Sequence, residues 1–214
     1  MKFPKDKVVI GLTGGIGCGK STFLNVFKNN FGKNYFFLCA DKICHEVYNK
    51  RGNELNKEFK KHWGEYFLNS DGTINRKEVA NKIFQGENII EELAWLNNVL
   101  HPFIFKEAQI LIEQTEAKFI LFDIPLLFEC NLEKYFDETI SVWSENKLQN
   151  KRLKERGYSE KEIIFRKSVQ FEAKEKLERA DYGVINNGSL DELVEQGKII
   201  DKKLRVKYDR KKTK

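Results

Sequence analysis

The sequence predicts an α/β protein built on a five-stranded parallel β-sheet with helices on both faces. Five short apolar segments alternate with longer amphipathic segments along the 214 residues, and this alternation is typical of strands joined by helical crossovers. The predicted strands carry few polar residues on either face, which favours a sheet that is buried on both sides. Two stretches between strands are too long to be simple crossovers, and we expect them to be helical insertions.

The strands are predicted from nearly continuous apolar runs bounded by turn residues. They are Lys7–Leu12, Tyr35–Cys39, Lys118–Phe122, Thr139–Trp143 and Tyr182–Ile185. Helical spacing and capping signals predict helices over Lys20–Phe31, Asp41–Tyr48, Glu87–Leu100, Pro102–Thr115, 145–156 and 159–178, with others opened by Asn75-x-x-Glu78 and Ser189-x-x-Glu192. In this interpretation Pro102 is the first residue of its helix, and Ser159-x-x-Glu162 is a capping box.

These elements predict a core domain with two helical insertions. The core is formed by residues 1–49, 117–144 and 179–214, and the insertions are 50–116 and 145–178. Because α/β proteins bind ligands at the carboxyl ends of their strands, we expect both insertions to reach over that edge.

Charge and composition exclude several function classes. The formal net charge of +6 is concentrated in residues 202–214, which hold eight Lys/Arg and one Asp, so the rest of the chain is close to neutral. A solvated helix end is the simpler interpretation of this tail, and we expect neither nucleic acid nor a membrane as partner. The four cysteines show neither zinc spacing nor C-x-x-C, which favours thiols in a reducing cytoplasm.

One motif in the sequence indicates a phosphate-binding site. Residues 14–21 read GGIGCGKS, which satisfies G-x-x-x-x-G-K-[ST] between a predicted strand and a predicted helix. Backbone N–H groups of such a loop cradle phosphates, its lysine reaches the β- and γ-phosphates, and its serine is a ligand of Mg²⁺. The residues expected to contact ATP are Gly15, Gly17, Cys18, Gly19, Lys20, Ser21 and Thr22. The sequence thus predicts a P-loop nucleotide-binding fold.

The remaining sequence favours a small-molecule kinase among P-loop proteins. No Asn-Lys pair is followed by the aspartate that a guanine-reading N-K-x-D requires, and helicases and motor ATPases are much longer chains. A kinase must shield its second substrate from water with a lid. Residues 145–178 are the lid candidate, since Lys151, Arg152, Arg156, Arg166 and Lys167 lie there. Solvated helix surface is the alternative explanation for these charges.

Two aspartates follow predicted strands. Asp41 comes after the second strand and could accept the proton of an attacking hydroxyl, although helix capping explains it equally well. Asp123 ends the third strand, where a carboxylate could support Mg²⁺ through water. His101 precedes Pro102, a position that capping or packing usually explains.

Several segments in order resemble the dephospho-CoA kinase family. They are IGLTGGIGCGKST (10–22), Ala40-Asp41, DGTINR (71–76), WLNNVLHPFI (95–104), DIPLLFE (123–129), KRLKER (151–156) with Gln170 after it, and ADYGVINNGS (180–189). The resemblance implies transfer of the γ-phosphoryl group of ATP to the ribose 3′-hydroxyl of dephospho-CoA, with Mg²⁺ as cofactor. We also expect a cytoplasmic protein that is a monomer or a weak homo-oligomer.

The resemblance also implies roles for particular residues. Asp41 becomes the base or the group that orients the hydroxyl, and Arg152 becomes the lid arginine that faces the ATP phosphates. Asn186, Asn187 and Gly188 fall in the loop near the adenine. The acceptor side is expected to include His45, His101, Leu126 and Leu127, with the rest of the stretch up to Glu129.

The chain departs from the family pattern at three positions. Cys18 stands where serine is common, and a thiol at a helix N-terminus is expected to be acidified and sensitive to oxidation. His45 stands where many members have arginine, and Cys39-Ala40-Asp41 replaces the frequent Asp-Ala-Asp. Two other functions stay open at this point: a different nucleoside or nucleotide kinase, and a regulatory ATPase with a basic docking tail.

Overall fold

The structure is a computed structural model that describes residues 3–50, 52–85 and 88–209. Its sheet contains β1 (Val8–Gly14), β2 (Tyr35–Cys39), β3 (Phe119–Asp123), β4 (Glu138–Trp143) and β5 (Tyr182–Ile185) in the order β2-β3-β1-β4-β5. β1 pairs in parallel with both β3 and β4, and β4 pairs in parallel with β5. The predicted five-stranded parallel sheet is confirmed, and each strand bound agrees within two residues.

Nine α-helices lie within the described residues. They are α1 (Lys20–Phe31), α2 (Ala40–Lys50), α3 (Gly52–Trp63), α4 (Arg76–Gln85), α5 (Ile89–Glu113), α6 (Asn146–Glu155), α7 (Glu160–Ser168), α8 (Ala173–Arg179) and α9 (Leu190–Asp209). None of the helices in the described ranges is long and apolar enough to cross a membrane.

The chain divides into two compact units, residues 1–38 with 114–214 and residues 39–113. In the first unit every residue of β1 and of β3 is buried. α1 packs against α9, where Gly197 leaves room for the ring of Phe31: a Cβ at that glycine would lie 3.0 Å from Phe31 Cε2. The sheet and these helices enclose the main apolar core, which explains why the strands read as continuous apolar runs.

The second unit consists of α2 to α5 around an aromatic cluster. The Phe59 and Trp63 rings are 5.1 Å apart, and Trp95 stacks on His62 with a centroid distance of 3.9 Å. Trp63 Nε1 donates to Glu92 Oε2 at 2.6 Å, so its polar atom is paired although the ring is buried. This unit has its own core, formed without the sheet.

The prediction of two helices around Pro102 is wrong. A single helix, α5, runs through that proline, and His101 lies inside it rather than at a helix start. A proline in a helix removes one backbone hydrogen bond. Here one buried face continues on both sides of it, from Leu100 to Ile112, so packing favours the unbroken helix. The predicted start at Glu87 lies outside the described residues.

The prediction of one helix over residues 159–178 is also wrong. The chain forms α7 and α8, separated by residues 169–172. The capping box does open α7: Ser159 Oγ accepts from the Glu162 N–H, and the Glu162 carboxylate accepts from the Ser159 N–H at 2.8 Å. Phe171 in the break donates its N–H to Glu129 Oε1 at 2.9 Å, a contact outside the helix that the continuous pattern did not reveal.

Other capping predictions give mixed results. Asn75 Oδ1 accepts from the N–H of Glu78 at 3.2 Å, so the predicted start of α4 is confirmed. Ser189 Oγ accepts from the N–H of Glu192 at 3.3 Å at the start of α9. Asp41 does not cap α2, because the helix begins at Ala40 directly after β2 and Asp41 lies in its first turn. The basic tail continues α9 to Asp209, and residues 210–214 lie outside the described ranges.

Candidate nucleotide-binding site

The loop between β1 and α1 holds two glycines in left-handed backbone conformations. Gly17 has φ +79° and Gly19 has φ +85°, values that glycine adopts without strain. The N–H of Cys18 donates to the carbonyl of Gly15 at 3.1 Å, and no side chain caps α1 among the described residues. The N–H groups of the first turn can therefore bind an anion at the positive end of the helix dipole.

Two helices approach this loop closely. A Cβ on Gly15 would lie 2.7 Å from the Cβ of Ala173 in α8, and one on Gly17 would lie 2.8 Å from the carbonyl oxygen of Gln149 in α6. Contacts of that length do not occur between a real Cβ and its neighbours, so the loop requires glycine at both positions. The phosphate-binding loop is therefore enclosed by α6 and α8.

Lys20 and Asp123 form an ion pair next to the loop. The register of β1 and β3 places Asp123 beside Leu12, two residues before the loop begins. Lys20 Nζ donates to Asp123 Oδ1, and both side chains are mostly buried, with exposures of 18% and 11%. The third strand therefore brings Asp123 to the P-loop, as the sequence predicted.

Arg152 joins three segments around the loop. Its Nη1 lies 3.2 Å from Ser144 Oγ and 3.4 Å from the carbonyl oxygen of Cys18. Its Nη2 donates to the carbonyl of Asn186 at 2.9 Å, and Asn186 Nδ2 donates to the Cys18 carbonyl at 2.7 Å. The guanidinium is therefore held by the loop, the end of β4 and the end of β5. That it contacts the phosphates of ATP stays a prediction.

Cys18 differs from the sequence expectation. Its side chain has no solvent exposure and belongs to the apolar core. Burial raises the pKa of the thiol, and this effect exceeds the opposing hydrogen bonds from Ser144. A buried thiol of this kind is mostly protonated and less reactive. The expectation of an acidified, oxidation-sensitive thiol is wrong, because desolvation outweighs the helix N-terminus.

A cavity of about 660 Å³ lies between the P-loop and the three helices α6, α7 and α8. Lys167 of α7 lines it and donates to Asn146 Oδ1 at 3.1 Å, and burial lowers the pKa of its ammonium group. Gln170 lines it too, and its buried Oε1 has no hydrogen-bond partner within the described residues. The cavity thus presents a cation and amide groups to a polar ligand beside Gly15.

The other three basic residues singled out in the lid candidate are exposed. Arg156 is exposed where α6 ends, and the guanidinium of Arg166 lies 4.8 Å from the centre of the Tyr158 ring. Lys151 forms an exposed ion pair of 3.9 Å with a glutamate one turn along the helix. For these three the surface interpretation is sufficient, whereas Arg152 and Lys167 face the site.

The loop after β3 is partly structural. Leu127 is fully buried and its side chain lies against Gly11, so packing explains it and it presents no surface to a substrate here. Leu126 is half-buried, and its predicted place on the acceptor side stays a prediction. Glu129 accepts from Lys176 Nζ at 2.7 Å, an ion pair that the sequence did not predict.

Four further nucleotide-site candidates lie in the first turn of α1 or in the segment after β5. Ser21 is exposed and Thr22 half-buried in the first turn of α1. In the segment after β5, Asn187 Oδ1 accepts from the N–H of Glu145 at 3.0 Å. Gly188 follows it, and a Cβ there would meet the carboxylate of a glutamate in α9. These contacts position the segment, and its role toward adenine stays a prediction.

The second unit carries the remaining predicted residues. Asp41 and His45 are exposed one turn apart on α2, and His45 Nδ1 lies 3.4 Å from Asn49 Nδ2. His101 is half-buried in α5 with its ring edge-on to Phe105, at a centroid distance of 6.4 Å. Burial lowers the pKa of His101, so the neutral imidazole is favoured. Whether these residues bind an acceptor stays a prediction.

Sequence reasoning missed three residues beside the loop. Ser144, Gln149 and Lys176 are buried polar residues, and the Gln149 Nε2 donates to the Ser144 carbonyl at 2.7 Å. Gln149 and Lys176 lie in strongly charged segments that resemble solvated helix surface. Their separation from the motif by more than 120 residues left no local signal to find them.

The sequence comparisons agree with this geometry. The dephospho-CoA kinase profile matches residues 8–192. A dephospho-CoA kinase of Aquifex aeolicus is 33% identical over 196 residues, covering 91% of this chain and 96% of the relative. One of Helicobacter pylori is 36% identical over 197 residues, covering 89% and 94%.

The structural comparisons point the same way. A solved protein of Thermus thermophilus superposes with a TM-score of 0.76 at 28% identity, covering 92% of this chain and 98% of that one. A dephospho-CoA kinase of Campylobacter jejuni superposes with a TM-score of 0.61 at 26% identity, covering 92% and 96%. With a profile that spans most of the chain and relatives above 30% identity, the chain belongs to the dephospho-CoA kinase family.

Proposed function

We propose that this protein transfers the γ-phosphoryl group of ATP to the ribose 3′-hydroxyl of dephospho-CoA, which completes coenzyme A. Membership of the dephospho-CoA kinase family supports the substrate and the reaction. The P-loop enclosed by α6 and α8, with Lys20 and Asp123 beside it, carries the assignment of a nucleotide site. Such a reaction needs little covalent chemistry from the protein, and positioning with electrostatics supplies most of the rate.

On the ATP side each residue has a distinct role. The backbone N–H groups of Gly15, Gly17 and Gly19 and of the first turn of α1 bind phosphate oxygens. The ammonium group of Lys20, which pairs with Asp123 here, would contact the β- and γ-phosphates when ATP is bound. Arg152 and Lys167 stabilise the charge that spreads over the transferring group, because Arg152 contacts the loop and Lys167 lines the cavity. Asn186 holds the loop carbonyl that Arg152 also contacts.

The donor set beside the loop suits Mg²⁺. Ser21 offers an exposed hydroxyl at the start of α1, and Asp123 offers a carboxylate at the end of β3. Hard oxygen ligands of this kind, with water and phosphate, are those that Mg²⁺ prefers. Ser21 would hold the ion directly and Asp123 through water. The ion would neutralise charge on the phosphates.

Asp41 is the proposed base on the acceptor side. It lies in the first turn of α2, its side chain is exposed, and its role as a helix cap is excluded by the start of α2 at Ala40. It would accept the proton of the 3′-hydroxyl as the oxygen attacks the γ-phosphorus. His45, His101 and Leu126 are proposed to contact the acceptor. The four free thiols favour a cytoplasmic location, and a monomer or weak homo-oligomer stays our expectation.

ADP release by the purified protein tests the function. It would be measured with ATP and Mg²⁺ alone, with dephospho-CoA, and with a panel of nucleosides and nucleotides. We expect rapid release that depends on dephospho-CoA. Release that depends on a nucleoside instead would leave the P-loop assignment intact and reject the proposed acceptor. Release that needs no acceptor would favour a regulatory ATPase.

A further inference from the structure

Lys176 is a buried lysine that the proposed chemistry does not use. Its side chain in α8 has no solvent exposure. The ammonium group pairs with Glu129 Oε1 at 2.7 Å and donates to the carbonyl oxygen of Pro125 at 2.8 Å. Burial lowers its pKa, and the Glu129 carboxylate opposes this shift. Burying a charge is costly unless it is paired and hydrogen-bonded, so these two contacts hold the side chain in one place.

The Pro125 carbonyl joins three segments of the site. Besides Lys176 it accepts from Thr13 Oγ1 at 3.0 Å. Thr13 belongs to β1 and directly precedes the P-loop, and Pro125 follows Asp123 by two residues. A single carbonyl therefore connects the P-loop strand, α8 and the chain that carries the Asp123 carboxylate.

Glu129, the anionic partner of Lys176, also contacts the segment between α7 and α8. Glu129 Oε1 also accepts from the N–H of Phe171, in the segment between α7 and α8. Its Oε2 is buried and has no hydrogen-bond partner within the described residues. Two residues farther along, Ala173 packs against the position of Gly15. The ion pair thus connects α8 with the segment between α7 and α8, while the Pro125 contact connects α8 with β1 and with the segment that follows Asp123.

We propose that Lys176 is a positioning residue, which together with Thr13 holds the Pro125 carbonyl and thereby fixes Asp123 relative to Lys20 and the phosphate-binding loop. Glu129 has a separate role, since it neutralises the buried ammonium group. The proposal rests on the proposed kinase function. It differs from a purely stabilising role for the ion pair, because it assigns the effect on turnover to the contact with Pro125 rather than to the pairing of charges.

Three variants separate the two contacts. Lys176→Met removes both and leaves a buried, uncompensated carboxylate. Glu129→Gln keeps the contact with Pro125, because the lysine remains. The double variant Lys176→Met/Glu129→Gln restores the balance of charge but still lacks the donor to Pro125. Lys198→Met is the control for loss of a lysine, since Lys198 lies on α9 and forms an exposed pair of 3.6 Å with Glu195.

The measurements are urea unfolding and steady-state kinetics with ATP and dephospho-CoA. We expect the double variant to unfold at a higher urea concentration than Lys176→Met, yet to retain a kcat that is about 10- to 100-fold below wild type, the cost of a small misplacement in an active site. Glu129→Gln should lose less than the double variant, and Lys198→Met should match wild type. A double variant that regains wild-type kcat together with stability would overturn the proposal.

If the double variant Lys176→Met/Glu129→Gln does not fold, Thr13→Val tests whether the contact with the Pro125 carbonyl affects turnover. It removes the other donor to the Pro125 carbonyl with little change in volume and leaves the ion pair intact. We expect a lower kcat with only a small decrease of the unfolding midpoint, because the carbonyl keeps Lys176 as a donor, and a wild-type kcat would overturn the proposal. Failure of the kinase function itself is recognised separately, because the wild-type protein would then show no turnover that depends on dephospho-CoA.

Discussion

The two compact units differ in how their candidate site residues are held. Around the P-loop, Lys20, Arg152 and Asn186 are paired or hydrogen-bonded and largely buried. In the second unit, Asp41 and His45 are exposed on one helix. A paired, buried group contributes to stability as well as to binding, whereas an exposed group contributes little to stability. The ATP side is therefore preorganised, and substitutions on the acceptor side should affect turnover with little effect on stability.

Lys20→Ala should have the largest effect. The substitution removes the cation that meets the β- and γ-phosphates, so we expect a loss of at least about 10³-fold in kcat/KM, as for the loss of a major electrostatic contact. The chain should still fold, with a free energy of unfolding lowered by about 1–3 kcal/mol, because the mostly buried Asp123 carboxylate loses its pair with Lys20. Kinetics and circular dichroism measure the two effects. A variant with turnover near wild type would contradict the assignment.

Asp41→Asn should lower kcat by about 10²- to 10⁴-fold, the usual contribution of a general base. ATP binding and the unfolding midpoint should stay unchanged, because Asp41 is exposed and caps no helix. Glu46→Gln is the matched control, an exposed carboxylate on the same helix that pairs with Lys50 at 2.9 Å. Equal losses in the two variants would show that Asp41 has no special role.

Arg152→Met should affect both properties. We expect a decrease of about 10- to 100-fold in kcat/KM for ATP, because a cation near the phosphates is lost. The free energy of unfolding should decrease by about 1–3 kcal/mol, because the Asn186 carbonyl and its neighbours lose their donor. Arg156→Met is the control, since Arg156 is exposed at the end of the same helix. If Arg152→Met were as stable as Arg156→Met and wild type, the claim that the hydrogen bonds of Arg152 stabilise the ATP side would be wrong.

The smallest expected effect is a pH dependence of the free energy of unfolding that is caused by titration of His101. Its folded-state pKa is lowered from the ordinary value of 6.5 by burial, so below that pH the unfolded chain binds more protons at this site. Stability should therefore fall as the pH drops below about 6.5. His101→Gln should flatten this part of the profile in urea unfolding between pH 7.5 and 5.5, relative to the wild-type protein. An unchanged slope in His101→Gln would contradict the burial argument.

The sequence was sufficient for the strands and for the P-loop, because both depend on local patterns. Val8–Gly14 and the glycines that follow combine an apolar run with a motif whose spacing has a mechanical reason. It was also sufficient to place Asp123 beside the loop, since strand order in this fold class brings the third strand there.

The errors arose where distant contacts override local signals. α5 continues through Pro102 because its buried face continues, and α7 ends before residues 169–172 because Phe171 is bound by Glu129. Cys18 was predicted to be acidic from the helix N-terminus, yet burial controls its pKa. Lys176 lies in a run of charged residues and gave no sign that it is fully buried. In each case the deciding partner is far away in the sequence.

The central claim is that phosphate moves from ATP to a particular hydroxyl of dephospho-CoA. The most direct test is to purify the product of a complete reaction and record its ³¹P and ¹H NMR spectra. The account predicts one new phosphomonoester signal coupled to the ribose 3′ proton, with the diphosphate unchanged and one ADP formed per product. Unmodified dephospho-CoA accompanied by ADP and inorganic phosphate, or a phosphate at another position, would contradict it.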